Sequence, residues 1–547
     1  MTAWNTTAGD GYELFFGYRD EAAYAGAVER LVADGVAGKL AAKDPTLWGP
    51  EAEPEASKRL GWVDLAEHSR PLVAEIESLR EQLRVNGLDH VVLCGMGGSS
   101  LAPEVITRTA GVELSVLDSS DPDAVRSALS DRLESTIVVV SSKSGGTVET
   151  DSQKRAYEKA FRVAGHDPAD HVVVVTDPGS PLEAEARAAG YRVFTADPMV
   201  GGRYSALTAF GLVPSGLAGA DIGALLDDAV GIRDALARDA PDNPGLRLGA
   251  LLGVAATQAV DKVVLADAGT EIVGFGDWVE QLIAESTGKL GRGILPVVVE
   301  GVDAPNFVPS TSDETLVTIG SEFVFDRVRT ESGWGASVDA TLGAQLLLWE
   351  HATAVAGWII GINPFDQPDV ESAKSAARAL LDAERATPQP TFSDGGIDVH
   401  ATPGLLPEGA DSVDTAVAAL LDRLDPDTGY LAVMAYLDRL AAAEVAGVRA
   451  SLAARTGRPT TFGWGPRFLH STGQFHKGGP AVGVFLQVTG EPQEDLEVPG
   501  REFSFGEFIA AQAIGDGSVL AEHGRPVLRL HLTDRAAGVA QLLGSLR

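Results

Sequence analysis

VVLCGMGGSSLAPEV, residues 91–105, is an apolar run of strand length, then a glycine-rich turn, then the start of a helix. A near-continuous Val/Leu run suits a parallel strand buried on both faces. The same unit recurs at 136–150, TIVVVSSKSGGTVET, and related runs lie before and after it at ELSVLD, HVVVVT and RVF, separated by amphipathic stretches of helical length. That alternation is βαβ and predicts an α/β, three-layer αβα sandwich with a parallel-rich sheet. Residues 12–85 read mostly as helix, so 1–85 is expected to be a helical N-terminal segment and 86–240 the first αβα domain. A second block starts at the PDNPG break, with KVVLAD, ILPVVVE and ETLVTIG around the helical GDWVEQLIAES. It predicts a second αβα domain over 241–385. Residues 386–412 are rich in Pro, Gly and turn formers, and the later runs VGVFLQV and VLRLHL either extend the second sheet or form a third subdomain. The expectation adopted is that 386–547 is a C-terminal extension completing the second domain.

Composition narrows the function. The 547 residues are 45% hydrophobic and 22% charged, which is globular. Lys plus Arg number 43 and Asp plus Glu 77, a net charge of −34 that repels nucleic acid and anionic lipid. The longest apolar stretch, 346–362, carries Glu350 and His351 in its middle, so no membrane span is expected. A single cysteine, Cys94, excludes an internal disulfide and fits a reducing compartment, and the N-terminus lacks the pattern of a secretory signal. The expected location is cytoplasmic.

Six segments could carry chemistry. The 95–100 turn aims free N–H groups and hydroxyls at one spot by a helix N-terminus, where a phosphate would fit. The dinucleotide fingerprint fails there, because Ser100 takes the third glycine position. Alone, such a turn is also what a purely structural tight turn looks like. At 142–149, Ser142, Lys143, Ser144 and Thr147 offer three hydroxyls and an ammonium, and Glu149 is either a dipole-compensating carboxylate or a site residue. Two such turns in one parallel sheet share a crevice at the carboxyl ends of the strands. In GGRYS, two glycines precede Arg203, a cation suited to a developing oxyanion. In EQLIAESTGK, Glu285 ends a helix closed by Gly288, a position that suits a general base. In FDQPDVESAK, Gln367, Glu371 and Lys374 share a helix face. Finally, RFLHSTGQFHKGGP gathers His470, Gln474, His476 and Lys477; its histidines lack metal-pair spacing, so zinc is not expected. His351 in LLLWEHATA reads as a helix residue near the second core.

Taken together, these segments resemble the phosphoglucose isomerase family: GMGGSS, SSKSGGTVET, GGRYS, ESTGK and FDQPDVESAK occur in the family's order. HSTGQFHKGGP is similar to the histidine-bearing segment in the isomerase portion of transaldolase/isomerase fusion proteins, although no transaldolase portion is present. The resemblance implies a pair of sugar-isomerase domains and metal-independent, cofactor-free interconversion of glucose 6-phosphate and fructose 6-phosphate through a cis-enediolate, in glycolysis and gluconeogenesis. It implies that Gly98, Ser99, Ser142, Lys143, Ser144 and Thr147 hold the phosphate and that Glu149 and Gln367 position hydroxyls. Glu285 would move the proton, Arg203 would steady the enediolate, and Lys374 and a histidine would assist ring opening. His476 is assigned as that histidine, with His470 in reserve. In this family the histidine comes from a partner subunit, which implies a homodimer. Two alternatives stay open: a dual phosphoglucose/phosphomannose isomerase and a non-catalytic sugar-phosphate-binding regulator. An acidic protein with an anionic substrate is expected to gather Lys143, Arg203, Lys374 and Lys477 into a positive pocket.

Overall fold

The computed structural model describes residues 4–369, 375, 378, 381 and 389–546. Lys374 and Glu371 lie outside the described residues.

The N-terminus begins with strands. β1 (Trp4–Gly9) and β2 (Tyr12–Gly17) form an antiparallel hairpin, and the helices start at Glu21. The expected helical segment is corrected at its start, over 4–17; the elements from Glu21 to Val85 are helical, as expected. Tyr12, Leu14 and Phe16 alternate with Glu13 and Phe15 and are buried, a period-2 pattern, and Gly11 at φ +77° makes the turn. A buried edge was available to receive them.

β3 (His90–Gly95), β4 (Ser115–Leu117), β5 (Thr136–Ser141), β6 (Val172–Thr176) and β7 (Arg192–Thr195) form a wholly parallel sheet in the order β4-β3-β5-β6-β7. Every residue of β3, β5 and β6 is buried, as their β-branched runs predict. The strand order reverses between β3 and β5, so the loops leaving these two strands flank the crevice where doubly wound sheets bind ligands.

β8 (Lys262–Asp267), β9 (Leu295–Val298), β10 (Glu314–Ile319) and β11 (Gly335–Ala340) form a second sheet, β1-β2-β11-β10-β8-β9, to which the hairpin adds its antiparallel edge. One hydrophobic cluster runs through both units, from Val91 and Val139 to Val263, Leu346 and Trp349. Among the described residues, the strands after 390 do not complete this sheet. β12 (Phe392–Asp394), β13 (Ile397–Ala401), β14 (Tyr430–Tyr436), β15 (Thr460–Trp464), β16 (Gly483–Gly490) and β17 (Val527–Leu532) build their own, in the order β12-β13-β17-β16-β14-β15. β14 is buried at all seven positions and needs cover on both faces. One face packs with β8 and β10 through Tyr430, Met434 and Phe485, and the other against helices carrying Val417, Leu452 and Leu542. Those helices lie within 413–546, so this stretch supplies much of its own cover. Among the described residues, no helix is long and apolar enough to cross a membrane.

Candidate active site

The crevice between β3 and β5 is bounded by the two quoted turns. After β3 the chain makes a tight turn at Gly97–Ser99, with Gly97 at φ +55°. A Cβ at Gly98 would overlap the carbonyl oxygen of Gly202, so this glycine exists for close approach of two backbones. After β5, Ser142 Oγ accepts the Gly145 N–H at 3.1 Å and Ser144 Oγ accepts the Gly146 N–H at 3.2 Å. Ser142 Oγ also donates to Thr147 Oγ1 at 3.4 Å, a long bond that an anion could replace, and the Ser144 hydroxyl can turn its proton toward an anion. Thr147 caps the Val148–Ala164 helix, whose first turn carries Glu149.

Lys143 points elsewhere. Its Nζ lies 2.7 Å from Asp177 Oδ2 and donates to the Val200 carbonyl at 2.9 Å. Lys477 is likewise taken up, buried against Asp516 with Nζ 2.5 Å from Oδ1. The expected pocket of four cations is corrected accordingly: of the described three, Arg203 alone sits at the crevice with its charge beside the proposed base. An ammonium that enters a buried position without a carboxylate bears an uncompensated desolvation cost, which is why the buried Lys477 is paired; Lys143, half-buried, is held by its bonds to Asp177 and the Val200 carbonyl.

Arg203 reaches the crevice on the Gly202–Tyr204 turn and is buried. Its fork is fully used: Nε donates to Ser286 Oγ at 2.8 Å, Nη1 to Gln367 Oε1 at 2.6 Å and Nη2 to the Pro364 carbonyl at 2.7 Å. Nη1 also lies 3.2 Å from Glu285 Oε1. Glu285 is itself buried, in the last turn of the Phe275–Thr287 helix, and Gln281 one turn earlier donates to its Oε2 at 3.0 Å. Gly288 ends that helix against the Phe475 backbone. The next residue, Lys289, donates to the Asn363 and Asp366 carbonyls at 2.7 and 2.6 Å and lies 2.7 Å from Asp366 Oδ1. It ties down the loop that presents Gln367. Burial, with the Arg203 charge beside it, pulls the Lys289 ammonium down to about 8 against the pull of Asp366.

The structure separates the two histidines. His476 is buried against Tyr430, whose hydroxyl is 3.0 Å from its Nδ1, and against the edge of Phe485. Burial holds its imidazole well below the usual range, with Lys477 and Arg525 adding to the effect. It is therefore a core residue of the third unit, and its assignment to the crevice is corrected. His470 is the one brought to the crevice: Nε2 lies 3.0 Å from Glu149 Oε1, and its carbonyl accepts from Gln281 Nε2 at 2.7 Å. The physical reason is register. The GQFHKG segment is a short helix, Gly473–Gly478, that turns His476 inward, whereas the preceding Arg467–His470 turn meets the 97–99 turn. His351 lies in the core of the Leu342–Ile360 helix, stacked edge-on with Trp62, as its sequence context predicts.

Gln281 and Lys289 were not among the expected site residues, although both were legible: Gln281 precedes Glu285 by one helical turn, and Lys289 lies inside ESTGK. Gln512 had no local signal. It reaches Glu149 Oε1 at 2.7 Å from the Phe505–Glu522 helix of the third unit.

With this geometry in view, comparison with known proteins is informative. The family model for phosphoglucose isomerase matches residues 67–292. A relative in Natronomonas pharaonis, described as a probable glucose-6-phosphate isomerase, is 30% identical over 376 residues, covering 60% of this chain and 87% of that protein. A glucose-6-phosphate isomerase of Cyanothece sp. is 28% identical over 393 residues, covering 61% of this chain and 74% of its own. Among solved structures, a hypothetical protein from Thermus thermophilus superposes with a TM-score of 0.58 at 25% identity, over 68% of this chain and all of that one. A glucose-6-phosphate isomerase from Chlamydia trachomatis shares the fold with a TM-score of 0.56 at 20% identity, over 69% of this chain and 89% of its own.

Proposed function

This chain belongs to the phosphoglucose isomerase family, and from that premise we propose that it interconverts glucose 6-phosphate and fructose 6-phosphate, in glycolysis and gluconeogenesis, by proton transfer through a cis-enediolate. The observation that carries the reading is the buried Glu285 carboxylate 3.2 Å from the Arg203 guanidinium, on a helix that meets the 97–99 turn. A carboxylate can take a proton α to a carbonyl only where the oxyanion so formed is stabilised, and a fixed guanidinium supplies that charge without reorganising.

In this mechanism Ser99, Ser142, Ser144, Thr147 and the N–H groups of the Gly98 turn hold the phosphate, and Lys143 braces the second turn through Asp177. The Glu149 carboxylate fixes the His470 proton on Nε2 and leaves Nδ1 as the basic atom for ring opening, a task shared with Lys374. Gln367, already bonded to Arg203, faces a sugar hydroxyl. Glu285 removes the proton at C2 and returns it at C1 while Arg203 faces the enediolate oxygens. The single thiol, Cys94, is buried, which fits a reducing cytoplasm.

The test is a coupled assay of glucose 6-phosphate formation from fructose 6-phosphate with EDTA present, on the wild type and on Glu285→Gln. Loss of the base is expected to lower kcat by about 10²–10⁴-fold with little change in KM. Near-normal turnover by the variant would overturn the role of Glu285. Comparable turnover of mannose 6-phosphate by the wild type would extend the reading to both epimers.

A further inference from the structure

The third unit contributes more to the crevice than the reading above, on which this inference rests, makes use of. His470 belongs to it: the Arg467–His470 turn follows β15, which pairs with β14 in the third sheet. Within one chain this residue meets all the parts of the crevice. Its imidazole bonds Glu149 of the first unit, its carbonyl bonds Gln281 of the second, and a Cβ at Gly97 would crowd its backbone.

Two other residues of the third unit hold this arrangement. Arg467, at the start of the same turn, is buried; it pairs with Glu104 of the Leu101–Thr109 helix, and its Nε lies 3.2 Å from Asp118 Oδ2, just past β4. The turn is thus anchored to the helix that leaves the 97–99 turn. Gln512 meets the same Glu149 oxygen: its Nε2 donates to Oε1 at 2.7 Å, and its own carbonyl accepts from Ser120 Oγ at 2.5 Å. One carboxylate oxygen therefore receives both the glutamine and the histidine. Further pairs seal the same boundary, Arg439 with Glu104 at 2.8 Å and Arg535 with Asp121 at 2.7 Å. The carboxylates of these pairs, Glu104 and Asp121, are buried and tolerate little displacement of their arginines, because parting them strands a charge.

We propose that the third unit completes the active site of its own chain: His470 acts in cis, and Arg467 and Gln512 are positioning residues that hold it and Glu149 together. This departs from the resemblance, in which a partner subunit supplies the histidine. Here that place is filled from within.

The deciding experiment pairs two inactivating variants, Glu285→Gln and His470→Ala, co-expressed with different tags. If the histidine acted across a dimer, or if two copies exchanged their third units, random assortment would give half the dimers one intact site of two, about a quarter of wild-type activity. Acting in cis, every site carries one lesion and no activity returns, whether the chains are monomers or mixed dimers. Recovery toward a quarter overturns the proposal; no recovery supports it. A wild-type chain without isomerase activity would defeat the functional reading instead, and a second readout then decides this one. In ¹³C-histidine-labelled chains, with the resonance assigned by His470→Gln, Glu149→Gln is expected to move the His470 ring resonance, because the bond from Nε2 to the carboxylate is lost. Co-expression with unlabelled wild-type chain should not restore it, and restoration would overturn cis pairing. For the positioning residues, Arg467→Lys and Gln512→Leu should move the His470 ring resonance and lower kcat about tenfold at near-constant KM. A loss of stability with an unmoved His470 resonance would mark them as merely structural.

Discussion

Lys289 shows how far one buried cation can govern a site that it does not enter. Its ammonium spans the Asn363 and Asp366 carbonyls and the Asp366 carboxylate, and thereby sets where Gln367 meets Arg203. Burial first, and the neighbouring Arg203 second, bring its pKa to about 8, below the ordinary lysine value of 10.5. Between those two values the unfolded chain binds more protons than the folded one, so this residue makes folding stability rise with pH from about 8 to above 10. Activity should move the other way. As the proton leaves, the charge facing Asp366 is lost and the 363–367 loop is released. An alkaline limb in kcat near pH 8 is therefore expected, and Lys289→Arg, which keeps its charge at any accessible pH, should shift that limb upward. A pH profile checks this; a limb that stays in place with arginine assigns it to another group.

Elements meet at this site through backbone contacts that leave no room for side chains. The 97–99 turn lies on the 202–204 turn so closely that Gly98→Ala would force its methyl into the Gly202 carbonyl. Since Arg203 follows directly, the strain is expected to displace the guanidinium and lower kcat/KM by about 10²-fold while the protein still folds. Steady-state kinetics with circular dichroism checks it, and an active variant would show that the turns can part. What was legible in the sequence follows the same division. β3, β5 and their turns were legible because each motif lies within one βα unit, where strand, turn and helix start are contiguous. Glu285 and Arg203 were legible through motif order, and their 3.2 Å contact only through the fold. The hairpin was missed although Tyr12, Leu14 and Phe16 alternate, because the helical stretch beyond outweighed six residues of period 2. His470 lost to His476 for want of any signal for which one the short 473–478 helix buries. Gln512 approaches Glu149 from 363 residues away, a separation at which local pattern carries no information.

Over the whole molecule, a net charge of −34 must coexist with unit boundaries held by buried ion pairs. Glu104 stands at the centre of one. Burial drives its carboxyl up, but Arg467 and Arg439 outweigh that and hold it at about 2. A carboxylate lowered in this way stabilises the fold fully above its ordinary value of 4.5 and loses that stabilisation as pH falls toward 2. Glu104→Gln should therefore lower Tm at pH 7 and flatten its decline between pH 4.5 and pH 2, with thermal melts as the check; a parallel decline would mean that the two arginines are held by Asp118 alone. Salt acts on the other population of charges. The surplus acids repel one another across a surface where screening at about 0.15 M already reaches about 8 Å, and further salt weakens that repulsion. Exposed pairs such as Arg132 with Glu113 or Arg327 with Glu322 are each worth about 0–1 kcal/mol, so screening them costs little. Of the pairs that lock the third unit, Arg467 with Asp118 is buried, and Arg535, half-buried, meets a buried Asp121, so both are screened less than exposed pairs. Self-repulsion is then the larger salt-sensitive quantity. Raising KCl from about 0.05 to about 1 M is expected to increase Tm by several degrees without loss of the third unit's contacts. A Tm that is flat or falls with salt would show instead that surface pairs, in sum, outweigh the repulsion of the acidic excess.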